Sequence, residues 1–198
     1  MAGVRASDYD EKRGLILQRA AELFATQGFH KTSISDITTA CKATSKAWLY
    51  HYFESKDEIL FTLIHDFLSL VNGRIAEALK SHSSPSARLR TFIRESLSIY
   101  VDYRINYPKL FAEMSALDQT RQQEIKLIER RFLLQVRDIL IELNPNIDKR
   151  PHESMALTLL LFGTINWAYI WFNPAGPLSL DEMADLAETM LINGLASF

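Results

Sequence analysis

At Ser33–Asp36, Ser55–Glu58 and Ser179–Glu182 the sequence sets a serine three residues ahead of an acid and follows the pair with apolar positions spaced by three and four. At that spacing the serine oxygen accepts from a backbone N–H of the first helical turn while the acid reaches back to the serine N–H. Each pair therefore marks the start of a helix. Punctuation between such starts is sparse. There are 7 Gly and 6 Pro in 198 residues, fewer than turn-rich β folds use. The chain reads as all-α, with no strand alternation, repeat or low-complexity segment.

The first helix runs from about Ser7 or Asp10 to Gln27, with Ile16, Ala20, Leu23 and Phe24 on one face, and Gly28 closes it as a left-handed residue. A short second helix spans Ser33 to near Cys41, and a third starts at Thr44 or Ser45. The fourth, opened by Ser55, extends to about Lys80, and the fifth follows the Ser81–Pro85 loop to about Asn106. Pro108 opens a short sixth, and Asp118–Leu143 forms a long, charged seventh. The eighth covers about His152–Phe172, and the ninth, capped by Ser179, ends near Ala196. This organisation places a three-helix domain in residues 1–56 and six helices in residues 57–198.

Charge separates the two parts. Residues 1–56 carry 8 Lys+Arg against 6 Asp+Glu, and residues 57–198 carry 14 against 18, within a net charge of −2. A basic head on an acidic body points any anionic partner to the N-terminal end. Cys41 is the one cysteine, so no intrachain disulfide forms, and Met1–Lys12 lacks an apolar signal core. The expected location is cytoplasmic. Met155–Phe172 is apolar enough to raise the question of a membrane span. Its Thr158, Thr164 and Asn166, with no flanking Lys/Arg cluster, favour a buried helix and no membrane partner. No metal-ligand spacing, nucleophile triad or glycine-rich phosphate loop is present, so neither metal, cofactor nor enzymatic activity is expected.

The second and third helices, joined by a few residues, have the outline of a helix-turn-helix. Its second helix must enter a major groove, so one face should lock onto the bundle and the other should carry donors and aromatics. Leu49 and Phe53 can face inward, leaving Lys46, Trp48, Tyr50, His51 and Tyr52 to divide between packing and surface. The plainer alternative makes Tyr50, Tyr52 and Phe53 core aromatics. Ser45 lies near the start of the helix, where backbone N–H groups can meet a phosphate, and Lys56 is placed to neutralise another.

The stretch Ile16–Leu60, with AAELFATQGF, TSISDI, LYHYF and SKDEIL in that order, resembles the DNA-binding head of the TetR family of bacterial transcriptional regulators. The resemblance implies backbone contacts from Thr32 and Ser33, base reading from Ser45, Lys46 and Trp48, further contacts from Tyr50 and His51, and a phosphate contact from Lys56. It departs at the turn, where the family usually has Ala-Gly-Val-Ser. Here Lys42-Ala43-Thr44 lacks glycine and is one residue longer, which bears on the placement of Thr44 and Ser45 as DNA contacts. A left-handed residue without glycine costs about 1 kcal/mol or more.

In the body, the eighth helix is apolar nearly all round and so must be buried on more than one side. With the ninth it is the pair through which TetR-like chains form homodimers. Phe67, Tyr100, Tyr103, Tyr107, Phe111, Met114, Phe162 and Trp167 supply aromatic and thioether material for an apolar effector pocket, with close-packed core as the reading for at least half of them. Phe162–Asp185 resembles TetR-like regulators that respond to acyl-CoA thioesters. Arg121, Lys126, Arg130 and Arg131 on the seventh helix could meet a CoA phosphate or form a solvated face. The reading that results is a ligand-responsive repressor that binds double-stranded operator DNA as a homodimer and is released by a small apolar or acyl-CoA effector. The alternative is a helical protein–protein interaction module without DNA binding.

Overall fold

The structure, a computed structural model, describes the backbone of residues 2–103 and 107–196, and within these every side chain except those of residues 2–6, 107, 108 and 169. The helices are α1 (Ala2–Gln27), α2 (Ile34–Ala40), α3 (Lys46–Tyr50), α4 (Lys56–Leu79), α5 (Pro85–Tyr103), α6 (Tyr107–Ala112), α7 (Gln119–Leu143), α8 (Pro151–Trp171) and α9 (Leu180–Leu195). Short 3-10 turns lie at Met114–Ala116 and Pro145–Lys149, and no strand occurs among the described residues. The protein is all-α.

The caps explain most of the boundaries. Ser33 and Ser179 form complete capping boxes with Asp36 and Glu182. Ser55 Oγ accepts from the Glu58 N–H at 3.0 Å, but the Glu58 carboxylate reaches back to the N–H of Glu54 rather than that of Ser55. α1 starts earlier than its apolar pattern suggests, and a Lys12–Asp8 pair at 2.7 Å supports the additional turn.

The chain divides into two compact units. The first holds the described residues up to Phe67 together with Tyr107–Ile125. Ile16, Ala20 and Phe24 of α1, Ile37 of α2, Leu49 and Phe53, and Ile59, Leu60 and Ile64 of α4 are buried there. α6 belongs to this unit. Lys109 Nζ donates to the Ala25 carbonyl at 2.8 Å, and Glu113 Oε1 accepts from the Phe29 N–H at 3.3 Å.

The second unit contains the rest of α4, α5, most of α7, α8 and α9. α5 and α9 run antiparallel, held by a ladder along α5. Ser86 Oγ donates to Glu188 at 2.8 Å, Arg90 Nε to Asp185 at 2.6 Å and Arg94 Nε to Asp181 at 2.6 Å. Exposed pairs of this kind contribute roughly 0.2–1 kcal/mol each, so they set register more than stability. Beneath them Leu89, Phe92, Ile93 and Leu97 pack in the same unit as Val136, Leu140, Leu161, Ile165 and Ala184, all buried.

α8, expected to be buried on more than one side, divides into two faces in the single chain. Ser154, Thr158, Leu161, Ile165, Ala168 and Phe172 form one buried stripe, while Leu159, Leu160, Trp167, Ile170 and Trp171 are each more than half exposed. One chain covers only one face. The helix long and apolar enough to cross a membrane, among the described residues, is α4 rather than α8; its Ile59, Leu60, Ile64 and Ile75 are fully buried in protein.

The capping boxes carry a pH dependence. Hydrogen bonds from the Ser179 side chain and then its backbone hold the Glu182 carboxyl below the usual carboxylate range, and those from the Ser33 backbone and then its side chain do the same for Asp36. A depressed carboxylate stabilises the fold above its unfolded value, and that contribution is lost as pH falls through the folded value. Glu182→Ala should therefore lower the urea midpoint at pH 7, with the gap to the unsubstituted chain closing as pH falls below 4. A gap independent of pH would mean that Glu182 acts through packing alone.

Candidate functional site

α2 is capped at its C-terminus by Cys41, after which the Lys42 N–H donates to Thr39 O at 2.9 Å and the Ala43 N–H to Thr38 O at 3.1 Å. This pair of bonds is a Schellman closure, which requires a left-handed residue between cap and exit. Lys42 supplies it with φ 54°, and among the described residues no other non-glycine has positive φ. The glycine-free turn thus closes in the usual way, with the strain carried by a lysine. Beside it the Cys41 thiol is half-buried, and burial pushes its pKa up.

Ser45 then caps α3, its Oγ accepting from the Trp48 N–H at 3.3 Å. Leu49 and Phe53 are the inward anchors, at 0% and 1% exposure. The outward side presents Thr44, Ser45, Lys46, Ala47, Tyr50 and His51, all exposed. Trp48 is half-buried, its ring 5.2 Å from that of Tyr52, and Tyr52 lies 4.9 Å from Tyr9 of α1. His51 sits 5.9 Å from Tyr9 and 5.1 Å from Tyr52. The aromatics therefore separate: Phe53 is core, Tyr52 joins a cluster and Tyr50 faces solvent. Tyr9 was missed from sequence because one aromatic in a polar stretch has no periodic signal.

Two expected contacts face inward. Thr32 is 1% exposed, and its hydroxyl donates to Gly28 O at 2.8 Å while accepting from Gln27 Nε2 at 3.1 Å. Its side chain shapes the loop instead of meeting solvent. Lys56 Nζ donates to Phe29 O at 2.8 Å and Thr32 O at 2.9 Å and lies 4.1 Å from the centre of the Phe29 ring. These loop carbonyls stand where a phosphate was expected. Ser33 is exposed, with its hydroxyl engaged in the capping box.

The pocket candidates are distributed over both units. Phe67, Phe111 and Met114 belong to the first, where the Phe67 and Phe111 rings are 6.1 Å apart. Tyr100, Tyr103, Phe162 and Trp167 belong to the second. There Phe162 joins Phe92 at 5.5 Å and Phe132 at 5.3 Å. The Tyr100 hydroxyl bonds to Asn166 Oδ1, and burial pushes the phenol up to about 12. Trp167, expected in the pocket, instead stands 62% exposed on the outer side of α8. The side chain of Tyr107 lies outside the described residues. On α7, Arg121 pairs with Asp118 at 3.3 Å, whereas Lys126, Arg130 and Arg131 are exposed.

Residues 16–63 match the family model described as bacterial regulatory proteins, tetR family, and residues 82–195 match the tetracyclin repressor-like C-terminal domain. The HTH-type transcriptional repressor KstR2 of Mycolicibacterium smegmatis is 27% identical, over 98% of this chain and 96% of its own. A crystal structure of a TetR-family transcriptional regulator from Bordetella parapertussis has a TM-score of 0.83 at 31% identity, covering 94% of this chain and 96% of that one. AibR in complex with isovaleryl coenzyme A and operator DNA shares the fold, with a TM-score of 0.75 at 23% identity over 91% of this chain and 98% of its own.

The left-handed lysine makes a stability prediction. Lys42→Gly removes the Cβ clash and should stabilise the fold by about 1 kcal/mol. In a chain of this size that raises Tm by roughly 2–4 °C. A lower Tm in a thermal melt would show that the turn is not strained.

Proposed function

The chain belongs to the TetR family of bacterial transcriptional regulators, and from that we propose that it is a cytoplasmic, ligand-responsive repressor that binds operator DNA as a homodimer and leaves it when a small apolar effector binds. The observation that carries the reading is the division of α3: Leu49 and Phe53 are buried, while Thr44, Ser45, Lys46, Tyr50 and His51 face solvent together. A short helix anchored on one side and lined with donors and aromatics on the other suits a major groove.

A twofold pair of such helices must lie about 34 Å apart, or a multiple of it, to engage both half-sites. The apolar outer side of α8 supports that pairing, together with Leu186 and Met190 of α9, each 58% exposed. Contiguous large apolar groups on a folded chain mark an interaction surface.

For the effector we propose an acyl-CoA thioester. The aromatic group of Phe92, Phe132 and Phe162, with the Tyr100–Asn166 hydrogen bond beside it, offers an apolar setting with a polar handle. The exposed cations on α7 suit a phosphate. DNA and effector then oppose each other reciprocally, and a hundredfold loss of DNA affinity needs about 2.7 kcal/mol of coupling.

The test is a mobility shift on the intergenic DNA upstream of the chain's own gene, repeated with free fatty acids and acyl-CoA thioesters. A shift released by a thioester is the expected result. A shift that no thioester releases would remove the effector class, and no shift at low salt would return the helical-adaptor reading. Tyr50→Ala should weaken the shift about tenfold or more while moving stability by less than about 0.5 kcal/mol, since Tyr50 is outside the core. Leu160→Asp should convert dimer to monomer in sedimentation equilibrium; an unchanged dimer would place the interface elsewhere.

A further inference from the structure

Among the described side chains of the first 56 residues, four of the seven Lys and Arg are already occupied. Lys12 and Arg19 pair with Asp8 and Glu22, Arg13 lies over the Phe53 ring, and Lys56 holds two carbonyls. Lys31, Lys42 and Lys46 are exposed and make no side-chain hydrogen bond or ion pair among the described residues. Of these, Lys42 alone sits on a backbone that disfavours any side chain, at φ 54°. Glycine there would close the same turn without strain, so the fold gains nothing from the lysine. A strained residue whose side chain makes no hydrogen bond or ion pair among the described residues points to a use outside its own chain.

Its position says what that use is. Lys42 lies three residues before the Ser45 cap of α3, and Lys46, the first residue of that helix, is the neighbouring unpaired cation. The Asp36 carboxylate of α2 is tied to the Ser33 backbone and hydroxyl. Two exposed lysines thus stand within three residues of the Ser45 cap, at the start of the helix that carries Tyr50. We propose that Lys42 is a DNA-backbone contact: the left-handed turn holds its ammonium at the edge of the α3 reading face, where it neutralises a phosphate next to the bases that the helix reads. The proposal rests on the DNA-binding reading above and adds a residue to it. The contact is sequence-independent, so it strengthens binding to every DNA and sets register without choosing bases.

The experiment measures affinity for the upstream intergenic fragment from low to moderate salt for the unsubstituted chain, Lys42→Gly, Lys42→Asn and Lys42→Arg, with a thermal melt of each. Asparagine tolerates the left-handed region and removes the charge, so it checks the glycine result without the gain in backbone freedom. The expected outcome is that Lys42→Gly melts higher yet binds about three- to tenfold more weakly, with the slope of log K against log salt reduced by about one. Lys42→Asn should lose the same slope, and Lys42→Arg should keep it. Unchanged affinity and slope in both neutral variants would overturn the proposal. If the unsubstituted chain fails to bind DNA at low salt, the DNA-binding reading falls and this one falls with it.

Discussion

A helix that stops inside a protein leaves carbonyls without donors, and the first unit is organised around one such stop. α1 closes at Gly28, whose φ of 88° turns the chain away, with the Gly28 N–H returning to Phe24 O. The carbonyls around this exit are then met by lysines from distant parts of the sequence: Lys109 at Ala25, and Lys56 at Phe29 and Thr32. Positive charge at a helix C-terminus is favourable in its own right. Glu113 takes the Phe29 N–H in the same place. The loop of residues 28–32 therefore fastens α1, the start of α4, and α6 with its following turn, and α2 and α3 hang from the frame so made.

That frame accounts for how polar residues in the head are used. Thr32 and Lys56 are drawn inward because the loop has acceptors to fill, and a hydroxyl or ammonium buried beside unfilled acceptors would leave them costly. Lys46, Tyr50 and His51 make no such side-chain bond among the described residues and stay at the surface. The same residue types thus play opposite parts according to whether a backbone group nearby lacks a partner.

Helix positions were largely legible in the sequence because caps and three-four spacing are local signals. Ser33, Ser55 and Ser179 each cap where their spacing predicts, and of the two candidates Thr44 and Ser45 it is Ser45 that caps α3. The inward pair Leu49 and Phe53 was legible for the same reason. The lysine–carbonyl ties were not, since Lys109 and Ala25 are 84 residues apart and neither belongs to a periodic pattern. Nor was the outward direction of Trp167. A helix apolar all round gives no angular preference, so its sequence cannot say which stripe its own chain covers. The turn lies between these cases. The missing glycine marked the place, but only the φ of Lys42 shows that the left-handed conformation is kept.

α8 also satisfies its own polar groups. Thr158 Oγ1 donates to Ser154 O at 2.8 Å, Thr164 Oγ1 to Leu160 O at 3.0 Å, and Ser154 Oγ to Pro151 O at 3.0 Å. Beyond its first turn, where Glu153 pairs with Arg150, its outer side accordingly offers a neighbour few hydrogen bonds and no charge, only the relief of Leu160, Trp167 and Trp171. Charge patterns exclude wrong partners by repulsion; a surface read by shape alone has no such veto. On the homodimer proposed above, in a cell that makes several chains of this architecture, the contours of two tryptophans and a leucine would have to keep each regulator from mixing with the others. Drift at those three positions would then rewire which genes are controlled together, without touching a DNA-facing residue.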